Sequence, residues 1–173
     1  MPRNVEIKAK IESLQTLLDT ASKLCSGASA QIIKQHDTFF TSKVGRLKLR
    51  EFPGDGKKKT ELIYYNRPDS TGPKISDYVK VELDEAKSMR NLLTITNGVV
   101  GNVKKTRYLY LHGQTRIHVD DVEGLGTYME LEVCLTDDQT LEDGTKIAHD
   151  IMDKLHISKD QLVEGAYMDA ILA

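Results

Sequence analysis

Strict alternation of apolar and polar side chains recurs in short segments along this chain, and no other feature of the sequence constrains the fold as strongly. The first case is residues 4–11, NVEIKAKI, in which every second residue is apolar. The clearest is residues 46–51, RLKLRE, in which two leucines alternate with three basic residues. A period of two predicts a β-strand with one apolar and one polar face. At least six predicted strands carry charge on the polar face, so the sheet has one strongly charged side.

The predicted strands are joined mostly by tight turns, which indicates an antiparallel sheet. Turn signals lie at residues 53–56 (PGDG), at Gly113 and at residues 124–126. Strands are predicted at residues 4–11, 31–41, 46–51, 59–66, 78–83, 99–111, 116–120 and 128–133, and amphipathic helices at 12–25, 84–97 and 139–155. A short C-terminal segment, residues 166–172, is predicted to dock on the body of the protein.

These elements predict an α+β fold in a single domain over residues 1–173. An open sheet would expose its charged face to water. A closed barrel of eight antiparallel strands would instead enclose one face, and the amphipathic helices need an apolar surface to cover. If the helices cover the outside of such a barrel, its interior is the charged face.

Composition and charge exclude several classes of function. The net charge of -2 gives no electrostatic case for a nucleic acid or an anionic membrane as partner, and no apolar run approaches the length that spans a bilayer. Cys25 and Cys134 lie in no CxxC or metal-binding pattern and are expected to be free thiols. Residues 1–4 lead directly into a predicted strand and leave no room for a signal peptide, so we expect a cytoplasmic protein.

The charged face combines two kinds of ligand group. Its acidic members are Glu6, Glu82, Asp120, Glu130 and Glu132, and its basic members are Lys8, Lys10, Arg46, Lys48, Arg50, Lys80, Lys105, Arg107 and Arg116. Clustered carboxylates suit Mg²⁺ or Mn²⁺, and clustered Arg and Lys suit a polyanion with several phosphates. A metal beside a cationic clamp is typical of phosphoryl transfer. Against this, a single alternating strand is more often the solvated face of an antiparallel sheet.

The strongest single element of this face is the pair Glu130 and Glu132. Two carboxylates side by side on one strand repel each other unless they are solvated, paired with lysine or bound to metal. His118, taken alone, is more often a structural hydrogen-bonding residue than a metal ligand. Two interpretations of the charged face stay open on these residues, a solvated sheet face and an enclosed phosphate site.

Four segments, in order along the chain, resemble the CYTH superfamily, also called triphosphate tunnel metalloenzymes. They are residues 5–10 (VEIKAK), 45–51 (GRLKLRE), 64–69 (YYNRPD) and 116–126 (RIHVDDVEGLG). Each motif is weak by itself, whereas the ordered set is specific. The resemblance implies an eight-stranded antiparallel barrel with a charged interior and external helices. It also implies dependence on Mg²⁺ or Mn²⁺ and hydrolysis of tripolyphosphate, thiamine triphosphate or a nucleoside triphosphate.

Matched to the family pattern, the resemblance implies roles for individual residues. The implied metal ligands are Glu6, Asp120, Glu130 and Glu132. Together with the basic face described above, the expected triphosphate-binding set is Lys8, Lys10, Arg46, Lys48, Arg50, Lys80, Lys105, Arg107 and Arg116. Glu6, Lys8 and Asp120 are the expected catalytic residues. Either Asp120 or Glu6 can serve as the base that assists water, and the sequence does not decide between them.

The sequence also departs from the family pattern. The opening motif E-x-E-x-K begins here with Asn4, which offers a neutral carbonyl in place of a carboxylate, and His118 stands where some members place another acid. One alternative is a class IV-type adenylate cyclase that makes cyclic AMP from ATP, although the His-Phe element that usually precedes the opening strand in those members does not occur here. The other is a non-catalytic polyphosphate- or nucleotide-binding protein. A homodimer is expected by analogy alone.

Overall fold

Eight antiparallel strands close into a barrel in the computed structural model, which describes residues 2–173. The strands are Arg3–Lys10 (β1), Gln31–Phe40 (β2), Arg46–Glu51 (β3), Thr60–Asn66 (β4), Lys74–Leu83 (β5), Val99–His112 (β6), Thr115–Val122 (β7) and Gly126–Cys134 (β8). The helices are Leu14–Leu24 (α1), Lys87–Thr96 (α2), Leu141–Lys154 (α3) and Tyr167–Leu172 (α4), with a 3₁₀ turn at Lys159–Gln161. The predicted α+β fold with an eight-stranded antiparallel barrel is confirmed.

The first strand of the chain is the one that closes the barrel. The order around the ring is β1-β5-β4-β3-β2-β6-β7-β8, and β1 pairs with both β5 and β8. The strands from β2 to β5 form one meander and those from β6 to β8 another, joined by the pairing of β2 with β6. Glu6 of β1 faces Lys74 of β5 on one side and Glu132 of β8 on the other. The opening motif therefore lies between the two meanders.

The apolar face of the barrel is on the outside, where helices cover part of it. Val5, Ile7 and Leu131 are fully buried there. They belong to one hydrophobic cluster with Leu17 of α1 and Ile151 of α3. At roughly 25 cal/mol per Å² of buried apolar area, this cluster is the main stabilising contact between helices and barrel. Because side chains alternate along each strand, the polar set points inside.

Strand β5 begins four residues earlier than the sequence predicts. The polar residues Ser76 and Asp77 interrupt the apolar alternation in this stretch. β1 nevertheless pairs with it, Asn4 opposite Ser76 and Val5 opposite Ile75. Tertiary pairing therefore overrides a weak local pattern.

The C-terminal segment docks on the barrel as predicted. It forms α4, in which Tyr167 and Met168 are buried. Among the helices of residues 2–173, none combines the length and the apolar character needed to cross a membrane.

Gly144 of α3 packs tightly against the barrel. A Cβ at this position would lie 2.4 Å from Val5 Cγ2 and 2.7 Å from Leu135 Cδ2. Gly144→Val is therefore expected to lower the free energy of unfolding by about 2–3 kcal/mol through overpacking, as measured by urea denaturation. Asp153→Val, on the exposed side of the same helix, is the control and should change it by less than about 0.5 kcal/mol. An equal decrease in the free energy of unfolding of both variants would show that the tight packing at Gly144 is not the cause of the destabilisation.

Candidate functional site

The barrel encloses a cavity of about 560 Å³ that is lined by side chains from all eight strands. Within the described part of the chain, its basic lining residues are Lys8, Lys48, Arg50, Lys58, Arg67, Lys80, Lys105, Arg107 and Arg116, and its acidic ones are Glu6, Asp37, Glu61, Glu82, Glu130 and Glu132. Nine basic and six acidic residues leave an excess of three positive charges. Since low-dielectric walls strengthen electrostatic interactions, the cavity favours an anion with several charges.

One wall of the cavity carries His118 of β7 with Glu130 and Glu132 of β8, a group called here the His–Glu cluster. One ligand atom from each residue lies within 4.8 Å of the others. The cluster forms because His118 is directly opposite Glu130 in the register of β7 and β8. Glu6 adds a further carboxylate on the neighbouring strand, directly opposite Glu132.

Glu6 is held close to its titration point at neutral pH. Burial raises the pKa of its carboxyl to about 7, although the charge of Arg67 opposes the shift. The nearby carboxylates of Glu130 and Glu132 raise that pKa further. A buried carboxyl with a pKa near the working pH is well suited to accept a proton.

The pKa values of Glu130 and His118 are shifted toward the protonation states that bind metal. Burial favours the neutral acid at Glu130, but the charges of Arg67 and Arg107 outweigh it and lower the pKa of this carboxyl. Burial and the charge of Arg107 lower the pKa of His118 to about 4, so its imidazole is neutral at pH 7. Carboxylate oxygens and neutral imidazole nitrogens are ligands for divalent metals. The residues present therefore fit a divalent cation.

On the other side of the barrel, three cations surround one buried carboxylate. Arg50 donates two hydrogen bonds of 2.8 Å to Asp37 of β2. The ammonium groups of Lys48 and Lys105 lie 3.1 and 3.4 Å from Oδ2 of the same residue. These four residues are called here the Asp37 cluster. Its cations outnumber its carboxylate, so it keeps positive charge to offer to a ligand.

The titration of this cluster reflects competition between burial and charge. Burial would raise the pKa of Asp37, but the cations around it hold that pKa well below its usual range. Burial lowers the pKa of Lys105 to about 7 even though Asp37 opposes the shift. Lys105 therefore exchanges its proton readily near neutral pH, while Asp37 stays ionised.

Asp120 is engaged with protein groups rather than with the cavity. Arg107 donates two hydrogen bonds to it, at 2.8 and 2.7 Å, and the hydroxyl of Tyr167 donates a third at 2.8 Å. The side chain is 0% exposed and does not line the cavity. Asp120 therefore orients Arg107 toward the cavity instead of presenting a free oxygen to a cation.

The C-terminal segment closes one end of the cavity. Tyr167 of α4 lines that end, and the Lys8 ammonium lies 4.5 Å from the centroid of its ring. Lys8 also donates a hydrogen bond to the backbone carbonyl of Gly165. At the other rim, the side chains of Lys80 and Arg116 are 44% and 48% exposed. Solvent therefore enters the cavity past Lys80 and Arg116.

Comparisons with known proteins agree with this architecture. The CYTH domain model matches residues 2–167. The chain belongs to the CYTH family. A provisionally named adenylate cyclase of Methanocaldococcus jannaschii is 25% identical to this CYTH protein, over 95% of this chain and 96% of the relative.

Solved structures share the fold of this CYTH protein at low sequence identity. The PH1012 protein of Pyrococcus horikoshii has a TM-score of 0.82 and 21% identity, over 96% of this chain and 98% of that chain. A provisionally named adenylyl cyclase of Hippeastrum, described as having a dominant triphosphatase activity, has a TM-score of 0.65 and 18% identity, over 99% of this chain and 94% of that one.

Most residues predicted for the site meet in the tunnel of this CYTH protein, but three do not. Those that line the cavity are Glu6, Lys8, Lys48, Arg50, Lys80, Lys105, Arg107, Arg116, Glu130 and Glu132. Lys10 is exposed at the end of β1. Arg46 lines a separate pocket and pairs with Asp69 and Asp169 at 2.9 and 2.6 Å. Asp120 is buried behind the lining, where it accepts hydrogen bonds from Arg107 and Tyr167, and its metal and catalytic role stays a prediction.

Arg67 and Asp37 are two of the charged tunnel residues that the sequence does not predict; Lys58 and Glu61 are others. Arg67 follows the end of β4 and forms an ion pair with Glu6. The available signal was its spacing of two from Tyr65, which faces inside. No local sequence pattern predicts that Asp37 lies in the site. Its role depends on the pairing of β2 with β3, which sets it opposite Arg50.

Proposed function

We propose that this protein hydrolyses a triphosphate in the barrel cavity with the help of a divalent cation and releases phosphate. The observation that carries the proposal is one enclosed cavity with the Asp37 cluster on one side and the His–Glu cluster on the other. A triphosphate needs cations along its length and a metal at its phosphoryl oxygens. An uncharged ligand would bury these cations without giving them a partner.

The substrates that we infer are inorganic tripolyphosphate, thiamine triphosphate or a nucleoside triphosphate. All three share the linear chain of phosphates to which the lining is complementary in charge. The triphosphatase activity described for the Hippeastrum protein supports the same class of reaction here.

Substrate binding in this proposal is the work of the cationic lining. Lys48, Arg50 and Lys105 bind the phosphates through charge-assisted hydrogen bonds. The His–Glu cluster holds a divalent cation, expected to be Mg²⁺ or Mn²⁺. Such a cation supplies Lewis-acid stabilisation of phosphoryl oxygens and makes nearby water more acidic.

Glu6 is the residue that we assign as the base. Burial raises the pKa of its carboxyl to about 7, in the range suited to general base catalysis near neutral pH. Both oxygens of Asp120, by contrast, are bonded to Arg107 and Tyr167. In the reaction, a water oxygen attacks the terminal phosphorus as the bridging P–O bond breaks. Glu6 takes the proton of the water, and Lys8 stabilises negative charge on the phosphates.

Binding of a triphosphate at pH 8 should take up protons. Because the pKa of Lys105 is about 7, its amine is mostly neutral at pH 8, and a neighbouring phosphate favours the charged form. Uptake of about one proton per tripolyphosphate is expected from this lysine, and affinity should fall as the pH rises above 7. Calorimetry without metal, in buffers of different ionisation enthalpy, measures the uptake.

Two variants distinguish proton uptake by Lys105 from proton uptake by other residues of the cavity. Lys105→Met should remove most of the uptake. Lys80→Met, at the solvent-exposed rim, should retain it. Equal uptake in wild type and Lys105→Met would contradict the assignment.

A ³¹P NMR assay with tripolyphosphate, thiamine triphosphate and ATP, each with Mg²⁺ or Mn²⁺, tests the proposed function. We expect orthophosphate and the corresponding diphosphate from at least one substrate, and none when a chelator is added. Cyclic AMP with diphosphate from ATP would favour a cyclase instead. Tight binding of all three without turnover would show a non-catalytic binding protein.

A further inference from the structure

His118 carries a buried ring nitrogen with no partner. Its Nδ1 accepts and donates no hydrogen bond within the described residues, although the residue is only 4% exposed. Leaving such a group unpaired is unfavourable, so a buried exception needs an explanation. A carboxylate oxygen of Glu132 lies 3.9 Å from Nδ1. That separation is too long for a hydrogen bond.

A cation between these groups would give Nδ1 of His118 a bonding partner. The ligand atoms of His118, Glu130 and Glu132 lie within 4.8 Å of one another, so one ion can contact all three. The unpaired Nδ1 of His118 offers a nitrogen donor to such an ion. Glu130 and Glu132 supply the negative charge that offsets the ion.

The composition of this donor set bears on which metal binds. Mg²⁺ prefers an octahedral shell of oxygen atoms and keeps several waters. One imidazole with two carboxylates, and with positions left for substrate, is a ligand set typical of first-row transition metals. Asn4 supports the same preference, since it lines the cavity with a neutral side chain and adds no carboxylate that would favour Mg²⁺.

We propose that His118 is a metal ligand through Nδ1 and that it makes the site select a first-row transition ion over Mg²⁺. The inference rests on the proposed function for the identity of the cavity as a metal-dependent site. It is independent of turnover, because a cation can bind in the His–Glu cluster whether or not a triphosphate is hydrolysed there.

The test uses the full chain stripped of metal with a chelator. Calorimetry with Mn²⁺, Co²⁺ and Mg²⁺ gives the affinities, and pulsed electron paramagnetic resonance of the Mn²⁺ complex detects nitrogen bound to the metal. We expect ¹⁴N coupling from one imidazole in the wild type, and Mn²⁺ affinity at least ~10-fold above that for Mg²⁺. His118→Asp, which replaces nitrogen by oxygen, should lose the coupling and reduce the Mn²⁺ to Mg²⁺ ratio by ~10-fold or more.

His149→Asn is the matched control, because His149 lies on α3 outside the barrel. It should keep both the coupling and the ratio. A wild type without ¹⁴N coupling, without measurable Mn²⁺ binding, or with a ratio that His118→Asp leaves unchanged would overturn the proposal. The wild-type spectrum decides even if His118→Asp does not fold. Intact coupling without phosphate release would refute the proposed function alone, and turnover without coupling would refute this inference alone.

Discussion

Glu130→Gln is expected to reduce metal-dependent phosphate release by at least ~100-fold, because the proposed function assigns the charged oxygens of Glu130 to the divalent cation. Glutamine keeps the size of the side chain and removes its charge. In the folded protein, Glu130 lies 3.9 Å from Arg107 and 4.0 Å from Arg67. These cations retain Asp120 and Glu6 as partners, so the variant should remain folded. Steady-state kinetics over a range of Mn²⁺ concentrations gives the effect.

Glu82→Gln is the matched control for this variant. Glu82 also lines the cavity, but it lies at the exposed rim. Its replacement should leave activity within ~3-fold of the wild type, as for a charge that touches neither metal nor reacting atoms. Thermal unfolding and circular dichroism verify that both variants fold. Full activity in a folded Glu130→Gln protein would contradict the role of the His–Glu cluster.

Asp37→Asn is expected to lower the free energy of unfolding by about 3–5 kcal/mol, the usual cost of breaking a buried ion pair from one side. The side chain of Asp37 is 1% exposed, and its charge compensates Arg50, Lys48 and Lys105. Asparagine can keep one hydrogen bond to Arg50 but supplies no charge. Arg50 and Lys48 would then remain buried without a counterion, and Lys105, whose pKa is about 7 with Asp37 present, would lose its proton. Urea denaturation at pH 7 measures the loss.

Tripolyphosphate should restore part of the stability lost in Asp37→Asn. Anionic oxygens in the cavity replace the missing carboxylate, so the ligand stabilises the variant by mass action. Asp69→Asn is the control, because Asp69 is 58% exposed and pairs with Arg46 on the outside of the site. It should change stability by less than about 1 kcal/mol. An Asp37→Asn protein as stable as the wild type would show that the Asp37 cluster is not held by its carboxylate.

The barrel and its inward face are predictable from the sequence because both follow from local alternation. In β1, Glu6 and Lys8 share a face, and a barrel with apolar contacts outside leaves that face only the interior. The resemblance to the CYTH superfamily adds the closure of the ring, which alternation alone leaves open. The confirmed part of the fold therefore combines a strong local signal with an ordered set of weak motifs.

The depth of each side chain along the barrel is not predictable in the same way. Lys10 continues the pattern of β1 yet is exposed, because the strand ends there. Asp120 continues the pattern of β7, but its register sets it opposite Arg107, which uses its oxygens. A period of two specifies a face, while the use of a residue on that face depends on cross-strand partners. For the same reason, local alternation does not predict the role of Asp37, whose partner Arg50 is on another strand.

We propose that a triphosphate and a divalent cation bind inside the barrel, between the two clusters. Anomalous diffraction from crystals of the full chain, grown with Mn²⁺ and a non-hydrolysable triphosphate, tests it most directly. We expect one Mn²⁺ peak among His118, Glu130 and Glu132, and phosphate oxygens within hydrogen-bonding distance of Lys48, Arg50 and Lys105. A triphosphate bound outside the barrel, or a Mn²⁺ peak away from the His–Glu cluster, would contradict the claim.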